Sequence, residues 1–393
     1  MNSGTASFNM LAKAMTETTL RVFDRSKKAT DTLLGPLNTD IAQTPYSVVH
    51  KEDRVRLKHY RPQSSQREGA IRRPLLIVYA LINRETMLDL QPGRSVVQRL
   101  LDAGIDTYMI DWGYPARKDR FQTIDDHVND YMDIMVDVIR RRHGIQRINL
   151  MGNCMGGTFS VIYSALHPAK IKNLITTVTP TNFETDTGLL HTWMRRIAVD
   201  PMVEAYANIP GDLLNLGFLL LNPARLMVDK YKGFFENLDN RNFVENFIRM
   251  EKWIFDSPDV PGETFRQFIR DCYQNNLLIK NEMMVGGRRV DLEKITMPVL
   301  NFYGQYDHLV PPEACNKLCA AVGSSDTEDI CLKTGHIGIY VSSKCQQQFT
   351  PKIVQWLADR ETKPTRLPTT IRNNPVESLS NRAQNNIGVA GAI

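Results

Sequence analysis

The stretch GNCMGG, residues 152–157, decides the fold. It follows a short apolar run, INLM at residues 148–151, and precedes TFSVIYSAL at residues 158–166, which predicts a helix. A strand that turns into a helix through the pattern G-x-C-x-G is typical of a nucleophile elbow, where small residues flank a strained, exposed side chain. The central residue here is Cys154. The start of the following helix would favour a thiolate and would direct the Met155 backbone N–H at an oxyanion.

The motif alone fits either a nucleophile or a buried structural thiol. Whether an acid and a histidine follow later strands decides which of the two Cys154 is. The run PVLNFYG at residues 298–304 predicts a buried strand, and Asp307 lies in the loop that follows it. The run DICL at residues 329–332 predicts the last strand, and His336 follows on a glycine-flanked loop. The order nucleophile, acid, histidine, each after a strand, is that of the α/β hydrolases. We therefore predict a catalytic triad of Cys154, Asp307 and His336.

Two further positions belong to the predicted site. His308 adjoins Asp307, but adjacent side chains on an extended segment point to opposite sides, so we expect it to pack beside the acid rather than to serve as the base. The second oxyanion donor of this fold comes from the loop after the first core strand. We predict that the Ile82 backbone N–H acts there with that of Met155, and that Asn83 shapes the loop.

Strand patterns that alternate with helical stretches predict a mostly parallel sheet with helices on both faces. The predicted strands cover residues 74–82, 106–112, 147–153, 171–178, 298–304 and 328–333. The predicted organisation comprises an N-terminal helical arm (1–45), an α/β-hydrolase core (46–180 and 291–362), an inserted lid or cap (181–290) and a disordered tail (363–393). The tail is polar and poor in aromatic residues, a composition typical of disorder.

The most hydrophobic stretch of the predicted lid is LLNLGFLLL, residues 213–221. It is much shorter than the roughly 20 residues that a helix needs to cross a bilayer. The stretch predicts either a buried helix, which we favour, or a surface that faces the lid, a partner or an apolar polymer.

Composition excludes several classes of function. The formal net charge of +5 is small for 393 residues. The sequence also lacks a dense basic patch with interleaved aromatic residues, which is the pattern typical of nucleic-acid binding. The six cysteines show neither a disulfide framework nor metal-ligand spacing. Because no signal peptide or long apolar span opens the chain, we expect a cytoplasmic protein without a transmembrane segment or bound metal.

Five segments together resemble the polyhydroxyalkanoate synthases, specifically the short catalytic subunits of the two-subunit types, class III or IV. They are LLIVYALINR (75–84), DWGYP (111–115), the elbow, GQYDHLVPP (304–312) and TGHIGIYVS (334–342). The resemblance covers about residues 45 to 360. It implies polymerisation of 3-hydroxyacyl-CoA, above all 3-hydroxybutyryl-CoA, into polyester with release of CoA. Cys154 would then be the nucleophile, His336 the base and Asp307 the acid.

The resemblance also implies the surroundings of the enzyme. CoA would be part of the substrate and a product, so no cofactor is expected. The implied partners are a small helical companion subunit, the surface of a polyester granule and further subunits in a homodimer or hetero-oligomer.

Two other functions remain open at this point. A cysteine hydrolase similar to dienelactone hydrolase, or a thioesterase, would share the elbow and the triad, although such enzymes usually lack a large insertion. A non-catalytic protein that binds polymer granules could keep the fold, but it would not need an intact triad.

Overall fold

The structure, a computed structural model, describes most of the chain between residues 35 and 361. The described residues are 28–29, 32, 35–62, 71–361, 365–368, 371–372 and 376–379. Much of the predicted N-terminal arm and most of the predicted disordered tail therefore lie outside them. Residues 365–368 of that tail lie against the core, where Ile145 and Arg366 form an isolated antiparallel bridge.

An eight-stranded sheet is the framework of the described residues. The strands are β1 (Ser47–Glu52), β2 (Val55–Tyr60), β3 (Leu75–Val78), β4 (Thr107–Asp111), β5 (Ile148–Asn153), β6 (Ile171–Thr177), β7 (Met284–Val285), β8 (Arg288–Arg289), β9 (Val299–Gly304) and β10 (Thr327–Leu332). The order in the large sheet is β1-β2-β4-β3-β5-β6-β9-β10, and β7 and β8 form a separate pair. Within the large sheet, the six strands β4, β3, β5, β6, β9 and β10 are parallel to their neighbours in this series. Strand β2 is antiparallel to both β1 and β4.

The six predicted strands correspond to β3, β4, β5, β6, β9 and β10, so the predicted mostly parallel α/β sheet is confirmed. The first predicted strand is too long, because β3 ends at Val78 and residues 79–84 form a loop. The hairpin of β1 and β2 is absent from the prediction. Its sequence mixes charged and apolar residues, and it lies at the edge of the sheet, so it lacks the continuous apolar run of a buried parallel strand.

Thirteen α-helices surround the sheet or build the insertion within the described residues. They are α1 (Val96–Asp102), α2 (Asp133–His143), α3 (Met155–Leu166), α4 (Leu189–Arg196), α5 (Val199–Tyr206), α6 (Gly211–Leu221), α7 (Lys230–Glu236), α8 (Arg241–Phe255), α9 (Gly262–Gln267), α10 (Pro312–Cys315), α11 (Leu318–Ala321), α12 (Gly338–Val341) and α13 (Ser343–Asp359). Helix α3 packs against β5 and β6 in the middle of the sheet. None of the helices in the described part of the chain is long and apolar enough to span a membrane.

The insertion between β6 and β9 is mainly helical and contains α4 to α9. Its most hydrophobic helix, α6, is not buried as we favoured from the sequence. Among the residues of α6, Gly211 and Asn215 alone are buried, whereas Leu216 and Leu220 are about half exposed. The favoured prediction is wrong because one side of α6 lines a cavity and the other side faces solvent.

A strap, residues 36–44, runs from the core to the insertion. At the core end, the Thr44 backbone N–H and hydroxyl each donate a 2.8 Å hydrogen bond to the Asp89 carboxylate. The Ala42 N–H donates to the Asp89 carbonyl oxygen, also at 2.8 Å. Buried Asp89 therefore fixes this end of the strap by three hydrogen bonds, two through its carboxylate and one through its backbone carbonyl oxygen.

Basic side chains of α8 hold the other end of the strap. The buried Arg249 guanidinium donates to the carbonyl oxygens of Asn38 at 2.5 Å and Asp40 at 3.1 Å. Lys252 donates to the Thr39 hydroxyl at 2.6 Å. The two carbonyl oxygens compensate the buried positive charge of Arg249, which would otherwise lack these partners in the strap. These bonds therefore fix α8 relative to the core.

Arg249→Ala should release the strap from α8. Loss of the charge-assisted hydrogen bonds should lower the free energy of unfolding by about 2 kcal/mol. It should also speed proteolysis within residues 36–44. Urea-induced unfolding and limited proteolysis measure the two effects. Lys232→Ala is the control, because the 3.9 Å ion pair of Lys232 with Glu236 is exposed and should contribute little. Equal stability and equal cleavage of both variants would contradict the role of the strap.

Candidate active site

Cys154 lies at the turn between β5 and α3 in a strained backbone conformation. Its φ is 52° and its ψ is −125°, in a region that non-glycine residues rarely occupy. The Cys154 N–H donates to the Thr177 carbonyl oxygen at 2.9 Å, and the Cys154 carbonyl oxygen accepts from the Gly157 N–H at 2.8 Å. These bonds hold the turn in place, and the side chain is only partly buried.

Three glycines make this turn sterically possible. A Cβ atom on Gly156 would lie 2.4 Å from the Val78 carbonyl oxygen, and one on Gly157 would lie 1.9 Å from the Thr179 hydroxyl oxygen. A Cβ atom on Gly152 would lie 2.5 Å from the Gly157 Cα. The small residues of the predicted elbow are therefore required because α3 starts in direct contact with the neighbouring strands.

Asp307 and His336 follow β9 and β10, and their side chains meet. The His336 Nδ1 lies 2.6 Å from the Asp307 Oδ2. The other carboxylate oxygen of Asp307 accepts hydrogen bonds from the backbone N–H groups of Leu309 and Val310, each at 2.9 Å. Asp307 is thus oriented by its own loop and in turn orients the imidazole ring.

His336 also contacts Cys154, which completes the predicted arrangement of three side chains. Burial alone would lower the pKa of His336, but the Asp307 carboxylate and Cys154 raise that pKa well above its ordinary value. The Asp307 carboxylate hydrogen-bonds the ring directly. Since Nδ1 faces the carboxylate, Nε2 is the nitrogen left for the sulfur. A protonated imidazole beside the sulfur can stabilise a thiolate and can later deliver a proton.

The two residues predicted as oxyanion donors line the cavity that contains Cys154. Met155 is the first residue of α3, where backbone N–H groups have no partner within the helix. Ile82 lies in the loop after β3 and lines the same cavity as Cys154 and Met155. The structure therefore brings both residues to the cavity of the thiol, and their donation to an oxyanion stays a prediction.

His308 and Asn83, predicted to shape the site, also reach the cavity wall. His308 is partly buried and does not take the position of the base, which His336 occupies. Asn83 has a φ of 61°, and its side chain turns toward the insertion, where it contacts Ser257.

A cavity of about 1030 Å³ opens above Cys154 and His336. Most of its wall is apolar and comes from the insertion. Examples of these lining residues are Leu190, Trp193, Met194, Leu214, Phe218 and Phe268. A cavity of this size and composition can accommodate a ligand with a long apolar part beside the thiol.

A buried ionic network below the loop after β3 escaped the sequence analysis. Lys58 lies 2.5 Å from Glu85 and 3.1 Å from Asp111, and Arg84 lies 3.5 Å from Asp111. Burial lowers the pKa of Lys58, but the two carboxylates outweigh it and raise that pKa. Lys58 belongs to the unpredicted strand β2, so no local signal pointed to it.

The DWGYP segment supports the same loop. The Trp112 indole N–H donates to the Tyr79 carbonyl oxygen at 2.9 Å. Gly113 has a φ of 67°, and a Cβ atom there would lie 2.7 Å from the Arg54 carbonyl oxygen. From the sequence, this segment was only one of the five that resemble a known family, and no structural role was predicted for it. The structure shows that it anchors the loop beside Cys154.

Solved structures share the fold. Residues 73–342 match the family described as alpha/beta hydrolase fold. A hydrolase from Pseudomonas aeruginosa superimposes with a TM-score of 0.50 at 16% sequence identity, over 80% of this chain and 99% of that chain. The predicted α/β-hydrolase fold is confirmed.

Sequence relatives are more specific. Residues 8–100 match the family described as Poly-beta-hydroxybutyrate polymerase (PhaC) N-terminus. The poly(3-hydroxyalkanoate) polymerase subunit PhaC of Allochromatium vinosum is 47% identical over 87% of this chain and 97% of its own length. The subunit of the same name from Synechocystis sp. is 45% identical over 84% of this chain and 89% of its own length. The chain therefore belongs to the poly(3-hydroxyalkanoate) polymerase PhaC family.

Proposed function

We propose that this chain polymerises 3-hydroxyacyl-CoA, with 3-hydroxybutyryl-CoA as the principal substrate, into polyester with release of CoA. One observation carries the proposal: a cysteine in a strained elbow contacts a histidine–aspartate pair at the base of a large apolar cavity. The 45 to 47% identity to named polymerase subunits supports the same activity.

The first step is acylation of Cys154. His336 takes the proton of the Cys154 thiol, and the sulfur attacks the thioester carbonyl carbon. The resulting oxyanion accepts hydrogen bonds from the backbone N–H groups of Met155 and Ile82. The carbon–sulfur bond to CoA then breaks, and His336 supplies the proton that converts the CoA thiolate into a thiol. One thioester replaces another, so the acyl group stays activated.

The second step is elongation. His336, oriented by Asp307, accepts the proton of the 3-hydroxyl of an incoming 3-hydroxyacyl-CoA, and the hydroxyl oxygen attacks the thioester on Cys154. The bond to the Cys154 sulfur breaks, an oxoester forms and the thiol is restored. The lengthened CoA thioester then acylates Cys154 again and releases CoA. A single cysteine in each chain suffices for this cycle.

The insertion favours polymerisation over hydrolysis in this proposal. We propose that residues 181–290 act as a lid that keeps water from the acylated cysteine, since apolar side chains of the insertion form most of the cavity wall. Incubation with 3-hydroxybutyryl-CoA, followed by measurement of CoA release and product size, tests this. Polymer supports the proposal, free 3-hydroxybutyrate indicates a hydrolase, and no CoA release indicates a non-catalytic protein.

We also propose that the enzyme works at a polyester granule in the cytoplasm with a small helical companion subunit. The exposed apolar side chains of the insertion support an apolar partner surface there. Leu216, Leu220 and Phe235 are 51%, 48% and 66% exposed on α6 and α7. Leu216 and Leu220 lie one turn apart on the same face of α6, and adjoining exposed apolar groups of this kind are typical of a binding surface.

Cys154→Ala should abolish polymer synthesis, and Cys154→Ser should leave at most a slow residual activity. A hydroxyl ionises far less readily than a thiol and is a poor match for a base adapted to sulfur. Trapping of radiolabelled acyl-enzyme and size analysis of the polymer measure both effects. Cys331→Ala is the matched control, because Cys331 is exposed and outside the triad. Substantial polymer synthesis by the Cys154→Ala variant would contradict the assignment.

Asp307→Asn should slow alkylation of Cys154 by iodoacetamide near neutral pH. The Asp307 charge raises the pKa of His336, so its removal lets the ring lose its proton at a lower pH. Less protonated histidine then faces the sulfur, and the rate should fall roughly tenfold for each unit of lost pKa. The rate is measured as a function of pH by mass spectrometry of the Cys154 peptide. A pH profile identical to that of the unmodified chain would show that Asp307 does not control His336.

The companion subunit should remove a lag in polymer synthesis. If the lid closes over Cys154, the chain alone should start slowly, and a partner that binds the open form should abolish the lag. Continuous assay of CoA release with and without the companion measures the lag. Immediate full activity of the chain alone, together with fast reaction of Cys154 with a bulky thiol reagent, would show that no such barrier exists.

A further inference from the structure

Side chains of the insertion hold the loop that carries Ile82. Asn83 follows Ile82 and adopts a left-handed backbone conformation, with a φ of 61°. Its side-chain amide donates a 2.5 Å hydrogen bond to the Ser257 hydroxyl and lies 3.5 Å from the Asn215 side-chain oxygen. Ser257 lies two residues after the last residue of α8, and Asn215 lies on α6. The conformation of Asn83 therefore depends on two residues that are far from it in sequence.

The Ser257 hydroxyl is itself fixed. It accepts a 3.1 Å hydrogen bond from the Asn215 amide and lies 2.9 Å from the Ile254 carbonyl oxygen, to which it donates. The Asn215 amide also donates to the Ile254 carbonyl oxygen at 2.7 Å. The hydroxyl thus donates to Ile254 and accepts from Asn215 and Asn83, which uses its one donor and both acceptor positions.

The loop is also held at both ends. On the core side, Trp112 donates to the Tyr79 carbonyl oxygen at 2.9 Å. On the insertion side, the Trp253 indole N–H donates to the Arg84 carbonyl oxygen at 2.8 Å. With residues 79 and 84 held, a change of φ at Asn83 has to be compensated between them. The compensating change therefore falls within the short stretch between these two residues, which includes Ile82.

We propose that Ser257 and Asn215 are positioning residues that hold Asn83 and thereby direct the Ile82 backbone N–H at the acyl oxygen. This inference rests on the proposed function. It means that the oxyanion site is complete only while α6 and the end of α8 are seated on the loop. The insertion would therefore do more than cover the cavity: its position would decide whether Cys154 can undergo acyl transfer.

Two reactions of Cys154 separate this role from a general structural one. Acylation by 3-hydroxybutyryl-CoA passes through an oxyanion, whereas alkylation by iodoacetamide does not. Ser257→Ala should therefore slow acylation, measured as CoA release in a single turnover, by about tenfold, since small displacements of a positioned group cost this much or more. The same variant should be alkylated at Cys154 within about twofold of the unmodified rate, because the thiol and His336 are unchanged.

Two variants and one reference cysteine serve as controls. Asn237→Ala removes a lid asparagine whose amide donates to the Gly233 carbonyl oxygen at 2.8 Å, away from the loop, and should change neither rate. Ser257→Thr keeps the hydroxyl and should restore acylation. Exposed Cys331 serves as an internal reference for alkylation in every sample.

Three outcomes would overturn the inference. Acylation of Ser257→Ala at the unmodified rate would show that the hydroxyl does not position the loop. Equal slowing of acylation and alkylation would indicate a general distortion of the site, as would an acylation defect of the same size in Asn237→Ala. By contrast, failure of the unmodified chain to form a thioester at Cys154 would contradict the proposed function itself, so the two failures are distinguishable.

Discussion

The steric constraint at the elbow governs the rest of the site. Cys154 is held at a φ of 52°, a conformation that costs an L-residue of order 1 to 3 kcal/mol. The surrounding sheet sustains this cost because α3 starts so close to β3 and to Thr179 that Gly156 and Gly157 cannot carry a side chain. The same close approach places the first N–H of α3 beside the sulfur. A relaxed turn would lose both the position of the thiol in the cavity and that N–H.

The parallel sheet explains why much of the site could be predicted from the sequence. The carboxyl ends of parallel strands lie at one edge, so residues that follow β5, β9 and β10 are brought together by the fold alone. Cys154, Asp307 and His336 each follow an apolar run that is easily recognised as a buried strand. The 2.6 Å contact of His336 with Asp307 realises the arrangement that the chain order indicated.

The parts that the sequence did not reveal depend on contacts without a local pattern. The hairpin of β1 and β2 mixes charged and apolar residues. One of its lysines, Lys58, is buried, and ion pairs with two carboxylates compensate its charge. Composition showed that α6 is apolar but could not show that a cavity lies on one side and solvent on the other. The hydrogen bond between Asn83 and Ser257 joins residues 174 positions apart, and neither residue type is unusual in its own segment.

The two oxyanion donors of the proposed mechanism are held by different kinds of structure. The Met155 N–H belongs to the start of α3 and is fixed by the backbone of the core, so it is present whatever the insertion does. The Ile82 N–H belongs to a loop that the core holds from one side, through Trp112, and the insertion holds from the other, through Trp253 and Ser257. A fold that supports many acyl-transfer reactions can therefore keep one donor constant and make the second depend on the insertion. Because the insertion also forms the apolar wall of the cavity, the proposed mechanism links the exclusion of water and the completion of the oxyanion site to one position of the same helices.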